Sequence, residues 1–201
     1  MLDTYQMFSS KEVQSLKDIE GGKVAGAGMN LRYLEGIEGV AGVRGGLTDF
    51  YNMLQTGLVD HAMLWPEAAK TFKIAEVAPY MLKADIGAVN SKTVTVNADY
   101  WKKLPKEVQD VFLEVAVAWR DHVASVAMDR AAASRDAYLE AGGTVIEVGA
   151  EERLGWASAM PDIATEWAKN LDDKGEPGTD MLNAYMGKLK AAGFTLSLIH
   201  I

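Results

Sequence analysis

The chain has 201 residues, of which 49% are hydrophobic and 24% charged. That balance suits one sizeable domain or two small ones with a real core and excludes a disordered chain. A formal net charge of −8 argues against a general binder of nucleic acid or anionic membrane, and the absence of cysteine excludes disulfides, thiolate zinc sites and a cysteine nucleophile. No apolar run approaches the roughly 18 residues of a membrane span, and residues 1–10 are too polar, and lack the basic start, for a signal peptide.

In chain order, residues 1–10 form an apolar-aromatic lead-in without a start signal of its own. Residues 11–20 read as a short surface helix, with Val13, Leu16 and Ile19 at spacing three, ended by Gly21 and Gly22. Residues 23–27 read as a strand, and Asn30 is placed to cap a helix through Leu31, Arg32, Tyr33 and Leu34. Residues 40–44 are another short strand. The stretch GLTDFYNMLQTGLVDHAMLWP, residues 46–66, then organises the chain. Leu47, Phe50, Tyr51 and Leu54 fall at helical spacing over residues 46–55, Thr48 or Asp49 caps the start, and Gly57 closes the end. Residues 58–65 read as a nearly all-apolar strand stopped by Pro66. A helix feeding a buried strand is half of a parallel α/β unit. Open sheets of that kind bind ligands beyond the carboxyl ends of their strands, where Trp65 sits.

Residues 67–77 predict a helix ended by Pro79, and residues 80–83 and 86–96 predict strands, the second with half-exposed alternation at Thr93–Val96. Residues 97–104 are a short helix or turn, and Pro105 suits the first turn of a helix. Over residues 106–140 runs an amphipathic pattern: Val108, Val111, Phe112, Val115, Trp119, Val123, Val126 and Ala127. About 35 residues at 1.5 Å each give a helix roughly 50 Å long, which lies across two lobes or extends from one. Gly142 and Gly143 end it. Residues 144–148 form an alternating strand, residues 151–172 a helix that Pro161 kinks or splits, 174–178 a loop, and 179–192 a last helix stopped at Gly193. The final LSLIHI, residues 196–201, is an edge strand or a foreign tail, the second being preferred.

Constellations that carry chemistry are few. Gly21, Gly22, Gly26 and Gly28 do not make a GxGxxG, and no GK[ST] follows. Turns and close packing account for them, or a strand ending at a loop whose free amides, with Asn30, face an anion. His61, His122 and His200 lack the spacing of a metal motif, Asp60 faces away from His61 across a strand, and no GxSxG elbow occurs. No catalytic residue, metal or cofactor is therefore expected. Glu151-Glu152 suits the dipole of a helix start, Asp172-Asp173 is solvated, and Trp119, Trp156 and Trp167 read as core.

Three ordered segments, SLKDIEGGKV, DFYNMLQTGLVD and DYWKKLPKEVQDVFLEVA, together resemble the C-terminal two-thirds of a TRAP-transporter (tripartite ATP-independent periplasmic) solute-binding protein of the C4-dicarboxylate-binding family. EAGGTVIEVGAEE fits the same pattern, the likeness runs to about Gly193, and LSLIHI matches nothing in it. The resemblance implies an α/β, periplasmic-binding-protein-like two-lobed fold with mostly parallel sheets and a long spanning helix, its first lobe incomplete. On it, residues 1–195 are one fragment: a second lobe over about 15–90, the remainder of both lobes and the long helix over about 91–195, and a non-native tail at 196–201. It further implies a periplasmic protein, the signal peptide absent from the fragment, that captures a small organic (carboxylic) acid between its lobes and delivers it to TRAP membrane permease subunits. No nucleic acid and no membrane insertion are expected.

Family members usually carry an arginine two residues after the lysine of the G-x-K segment, where it clamps the ligand carboxylate. The matching position here is Ala25. A related pattern, with a glycine-rich loop and an asparagine, resembles VAGAGMNLRYLEG and implies that backbone amides of Gly28 and Met29 hold the acid together with Asn30. Arg44 would supply positive charge. Trp65, near the family's polar contact before proline, would favour an apolar or aromatic portion of the ligand. Hinge packing is the alternative for Trp65, and plain surface exposure for Arg44. The rival functions are a small α/β enzyme acting on an organic acid, which needs a nucleophile–base pair near Trp65, and a non-functional truncated product. In the latter, strand 58–65 and the long helix leave an apolar patch uncovered.

Overall fold

Side chains alternate in a strand, so a sheet covered on both faces needs apolar residues at every position. Gln6–Ser9, Lys23–Gly26, Ala41–Arg44, His61–Leu64, Tyr80–Lys83 and Thr144–Glu147 form one sheet, β1 to β6, covered on both faces along β1 and β4, largely exposed along β3 and partly exposed along β6, in a computed structural model that describes residues 4–87 and 93–193. The order is β3-β2-β4-β1-β5-β6. β1 is antiparallel to β4 and β5, and the other pairs are parallel. The carboxyl ends of β2 to β6 and the amino end of β1 therefore share one edge.

The helices are α1 (Phe50–Gln55), α2 (Pro66–Thr71), α3 (Ala98–Trp101), α4 (Lys106–Glu140), α5 (Ala150–Ala159), α6 (Ile163–Asp172) and α7 (Gly178–Ala191). On one sheet face Met7, Val24, Met63 and Leu82 pack with Leu16, Ile19, Leu34 and Trp156. On the other, Phe8, Ala25, Ala62, Leu64 and Met81 pack with Phe50 and Leu54 of α1, Ala68 and Ala69 of α2, and Tyr138 of α4. Each large side chain so buried stabilises the fold by about 1.5–3 kcal/mol.

Several elements agree with the sequence. Lys106–Glu140 is helical throughout. Pro161 splits the next helical stretch into α5 and α6. Gly57, at φ +71, closes α1. Gly143 is fixed by close approach, since a Cβ there would stand 2.3 Å from the Tyr138 ring. That ring docks the carboxyl half of α4: its hydroxyl donates to the Ala78 carbonyl at 2.7 Å, and its edge meets Phe8 with ring centres 5.4 Å apart. Arg130 adds an ion pair to Glu67 of α2 at 3.0 Å.

Other elements differ, each for a physical reason. The lead-in contains β1, which is buried along its whole length. The expected surface helix at 11–20 is a single 3-10 turn, Leu16–Ile19, and Val13, Leu16 and Ile19 are core. The Asp18 carboxylate takes the amides of Gln14 and Ser15 at 2.7 and 2.8 Å and folds the chain tightly there. Asn30 caps nothing: the 3-10 helix Gly28–Gly36 starts after Ala27, and Asn30 is buried inside it. Residues 46–49 are a turn in which the Gly46 amide donates to the Asp49 carboxylate at 3.1 Å, so α1 begins only at Phe50. Strand 58–65 shortens to β4, and Pro66 opens α2 as well as ending the strand. Lys73, at φ 53, breaks the helix expected over 67–77 into α2 and a 3-10 turn at Ile74–Glu76. Of the strand expected at 86–96, residues 88–92 lie outside the described residues, and 93–97 are exposed with no strand partner among the described residues. Trp156 is core but Trp167 is exposed. Residues 196–201 lie outside the described residues.

The apolar patch expected of a truncated chain is half present. β4 is buried on both faces, so that strand leaves no face uncovered. The amino half of α4, by contrast, exposes Val111, Phe112, Leu113, Val115 and Val117.

At the far end of β1 and β4 lies a buried polar pair. Ser9 Oγ donates to the Lys11 carbonyl at 2.7 Å, so it accepts from His61 Nδ1 at 3.0 Å, which fixes the ring tautomer. Burial pushes the His61 pKa from 6.5 down to about 4, against the smaller pull of Asp60. The unfolded chain thus takes up a proton that the folded chain refuses, and stability falls as pH drops from about 6.5 to about 4. Urea midpoints measured across that window are expected to decline, and His61→Gln is expected to flatten the decline whatever its effect at neutral pH.

Candidate functional site

The shared sheet edge gathers the ends of six strands. β2 runs through Ala27 into Gly28, whose φ of +59 turns the chain into the 3-10 helix. Gly28 and Met29 occupy its first positions, where amides lack intrahelical acceptors. Among the described residues nothing accepts from either, whereas the Asn30 amide donates to the Ala27 carbonyl at 3.3 Å. The Asn30 side chain is hydrogen-bonded to the Tyr5 hydroxyl. Tyr5 precedes β1 and faces Trp65, which follows β4; the rings meet edge to face with centres 5.5 Å apart at 69°. Burial raises the Tyr5 pKa, and the Asn30 hydrogen bond acts the other way. Tyr33 is raised by its own burial and by the proximity of Tyr5. Its carbonyl accepts from Trp156 Nε1 at 2.8 Å, which ties the turn to α5.

The predicted residues thus fall into two groups. Asn30 and Trp65 meet through Tyr5, with the free amides of Gly28 and Met29 on the adjoining turn. Arg44 stands to one side at the end of the edge strand β3, level with Gly26, exposed and without an ion pair among the described residues. The Met29 side chain leaves the group. It lines an apolar groove of about 440 Å³ with Tyr33, Trp167, Met181 and Tyr185. Ala25 is fully buried on the α1 face and contributes packing without charge.

Sequence reasoning missed Tyr5, Tyr33 and a polar hub beside them. Gln6 Nε2 donates to Asp85 Oδ1 at 3.0 Å, and the Asp85 amide returns a bond to Gln6 Oε1 at 3.0 Å. Thr4 donates to the same carboxylate, and Lys83 pairs with its other oxygen at 3.2 Å. Burial alone would raise the Asp85 pKa; the bonds from Gln6 and Lys83 outweigh it and hold the group below the usual carboxylate range. Next to the hub, the Tyr5 amide donates to the Gly87 carbonyl at 2.9 Å and the Ile86 amide to the Tyr5 carbonyl at 3.1 Å. Two segments therefore leave the sheet side by side. The signal that could have found Tyr5 was an aromatic residue two places before a buried strand, but that strand itself went unrecognised.

A serine–histidine contact does exist, Ser9 with His61, but at the opposite edge from Trp65. Both residues are buried, and the serine proton is committed to Lys11. Among the described residues no cluster of histidine and carboxylates is arranged to hold a metal, and no helix is long and apolar enough to cross a membrane.

Comparison with known proteins agrees with this architecture. A family model described as bacterial extracellular solute-binding protein, family 7, matches residues 3–170. No curated protein matches significantly. A TRAP periplasmic solute binding protein from Desulfovibrio salexigens, with bound orotic acid, is 17% identical, with 93% of this chain and 60% of that one covered at a TM-score of 0.76. One from Sulfitobacter sp. NAS-14.1, with bound β-D-galacturonate, is 18% identical over 90% and 59%, TM-score 0.71. One from Pseudomonas aeruginosa PAO1, with bound L-malate, is 18% identical over 78% and 55%, TM-score 0.65. At such identities the likeness is one of fold, α/β of the periplasmic-binding kind. The chain spans 55% to 60% of the length of these three structures.

The hub makes a direct test. Gln6→Leu strips partners from the partly buried Asp85 amide and carboxylate, and is expected to destabilise the chain by about 1–3 kcal/mol in urea unfolding.

Proposed function

We propose, from the premise that this chain belongs to family 7 of the bacterial extracellular solute-binding proteins, that it captures a small organic acid between two lobes in the periplasm and delivers it to the membrane permease subunits of a TRAP transporter. The observation that carries this is the sheet edge at which Tyr5 joins Asn30 to Trp65 beside the free amides of Gly28 and Met29, with Arg44 on the edge strand to one side. Parallel sheets bind ligands at that edge. The acid class is supported by the related structures, whose bound orotic acid, galacturonate and malate all carry a carboxyl group. A C4-dicarboxylate is one member of that class.

The proposed ligand residues are Gly28, Met29, Asn30, Arg44 and Trp65. Amides at the start of a helix carry partial positive charge and suit a carboxylate. Arg44 adds a full charge, and Trp65 covers the less polar part of the ligand. The net charge of −8 repels an anion, so these local donors have to outweigh the overall field. Ligand touching both lobes favours the closed form by its differential affinity for it, and that difference is the whole driving force of closure. The chain acts as a binding protein and not as an enzyme, in keeping with its family and with the inaccessible Ser9–His61 pair.

Thermal denaturation of the full-length protein carrying this chain is expected to shift upward with at least one class of carboxylic acid and not with the matching neutral amides. A well-folded protein whose melting point moves with no acid overturns the proposal. By calorimetry, Asn30→Ala is expected to weaken acid binding at least about tenfold, or roughly 1.4 kcal/mol. Unchanged affinity would remove Asn30 from the site.

A further inference from the structure

We propose that Arg135 of α4 anchors the carboxylate of the captured acid, in a hollow on the α4 side of the same sheet edge. This rests on the binding-protein proposal and adds to its site a residue that no motif marked.

The hollow follows from strand alternation and from two alanines. Phe8 and Met81 belong to the core under α1, α2 and α4. Two residues along a strand return to the same face, so Gln6 and Lys83 lie on that face where β1 and β5 reach the ligand edge. Pro66, the first residue of α2, stands beside them. Opposite, Ala131 and Ala132 precede Arg135 by four and three residues, so the three share one side of α4. Their methyl groups leave a space of about 200 Å³ that Gln6, Lys83, Asp85 and Arg135 line. The helix is held so that Arg135 stays there. Arg130, before it, is paired to Glu67 at 3.0 Å, and Tyr138, after it, donates to the Ala78 carbonyl at 2.7 Å. Trp65 directly precedes Pro66, and Tyr5 lies between Thr4 and Gln6, so the hollow adjoins the aromatic pair of the candidate site.

Charge decides what the hollow takes. Asp85 Oδ1 accepts from Thr4 and Gln6 at 3.2 and 3.0 Å, and its Oδ2 faces Lys83 at 3.2 Å and Arg153 at 3.5 Å. Lys83 is shared with Glu147 at 3.0 Å. These two cations and two carboxylates satisfy one another. Arg135 is left over: among the described residues its side chain has no ion pair and no hydrogen bond. Asp136 follows it in sequence, but adjacent residues of a helix do not face each other. A chain of net charge −8 thus keeps one uncommitted, exposed guanidinium beside a concave space. Its planar fork matches a carboxylate in two parallel hydrogen bonds. Pro66, Met81 and the two alanines make the remaining walls apolar, which strengthens such a pair.

Size sets the extent of the contact. Pockets for whole small molecules run from about 300 to 1,000 Å³, so this one takes the charged end of the acid and leaves its body at the edge, by Trp65. Arg44 cannot hold the same group. In the order β3-β2-β4-β1 it stands three strands from Gln6, about 14 Å away.

The test is calorimetry of the full-length protein carrying this chain with malate, galacturonate, orotate and benzoate. Arg135 is exposed and unpaired, so its variants are expected to melt with the wild type when no acid is present. Arg135→Ala is expected to weaken at least tenfold whichever of these acids bind. Arg135→Lys, which keeps the charge and loses the fork, is expected to fall between that variant and the wild type. Affinity unchanged in Arg135→Ala, whether or not Arg44→Ala lowers it, overturns this inference and leaves the binding-protein proposal standing. Binding of none of the four acids overturns both.

Discussion

The antiparallel seating of β1 between β4 and β5 is the constraint on which the rest depends. All four of its residues are buried, and both of its edges are hydrogen-bonded to a neighbour. Because it runs against the other five strands, its amino end lies beside their carboxyl ends. That reversal is what brings Tyr5 to Trp65 and to Asn30. A parallel strand in the same slot would place its first residues at the opposite edge, next to His61, and the aromatic corner would not exist. The chain connection that enters the sheet and the edge that suits a ligand are thus one place.

Polar and apolar forces share the work at that edge. The two cores hold the sheet in its layers, but neither specifies how the segments at Thr4–Tyr5 and Asp85–Gly87 leave it. The reciprocal Gln6–Asp85 bonds do. Asp85 sits at φ 49, a conformation uncommon for a residue with a side chain, and its carboxylate is the acceptor around which Thr4, Gln6 and Lys83 collect. A partly buried carboxylate is costly unless well bonded, so the satisfied hub fixes one exit geometry where hydrophobic packing would tolerate several.

What was legible in the sequence follows the same physics. Lys106–Glu140 is plain because its glycine stop and long apolar spacing are local signals. β2, β3 and β5 emerge from short β-branched or apolar runs bounded by glycine or proline. β1 was hidden because burial on both faces erases alternation, and because Gln6, polar and only 3% exposed, looks like a solvent residue until its partner Asp85 is seen 79 positions away. Val13, Leu16 and Ile19 carried a true apolar spacing, but the Asp18 carboxylate turned the chain before a helix could form. At the candidate site, Gly28, Met29, Asn30, Arg44 and Trp65 were named from motif and position. The structure groups Asn30 with Trp65 only through Tyr5, a residue that no local pattern marks. Long-range polar pairing is the part of a fold that a sequence carries without displaying.

The two halves of α4 have different surroundings. The carboxyl half is fastened by Tyr138 to the carbonyl of Ala78 and to Phe8, and by Arg130 to α2. The amino half presents Val111, Leu113, Val115 and Val117, each more than half exposed, and Phe112 beside Trp101. A helix apolar on more than one side is stable when it lies between packed elements and not when it borders water. The amino half, so exposed, has the composition of a surface that packs against another element rather than one that borders water. The described core thus anchors the carboxyl half of a helix about 50 Å long.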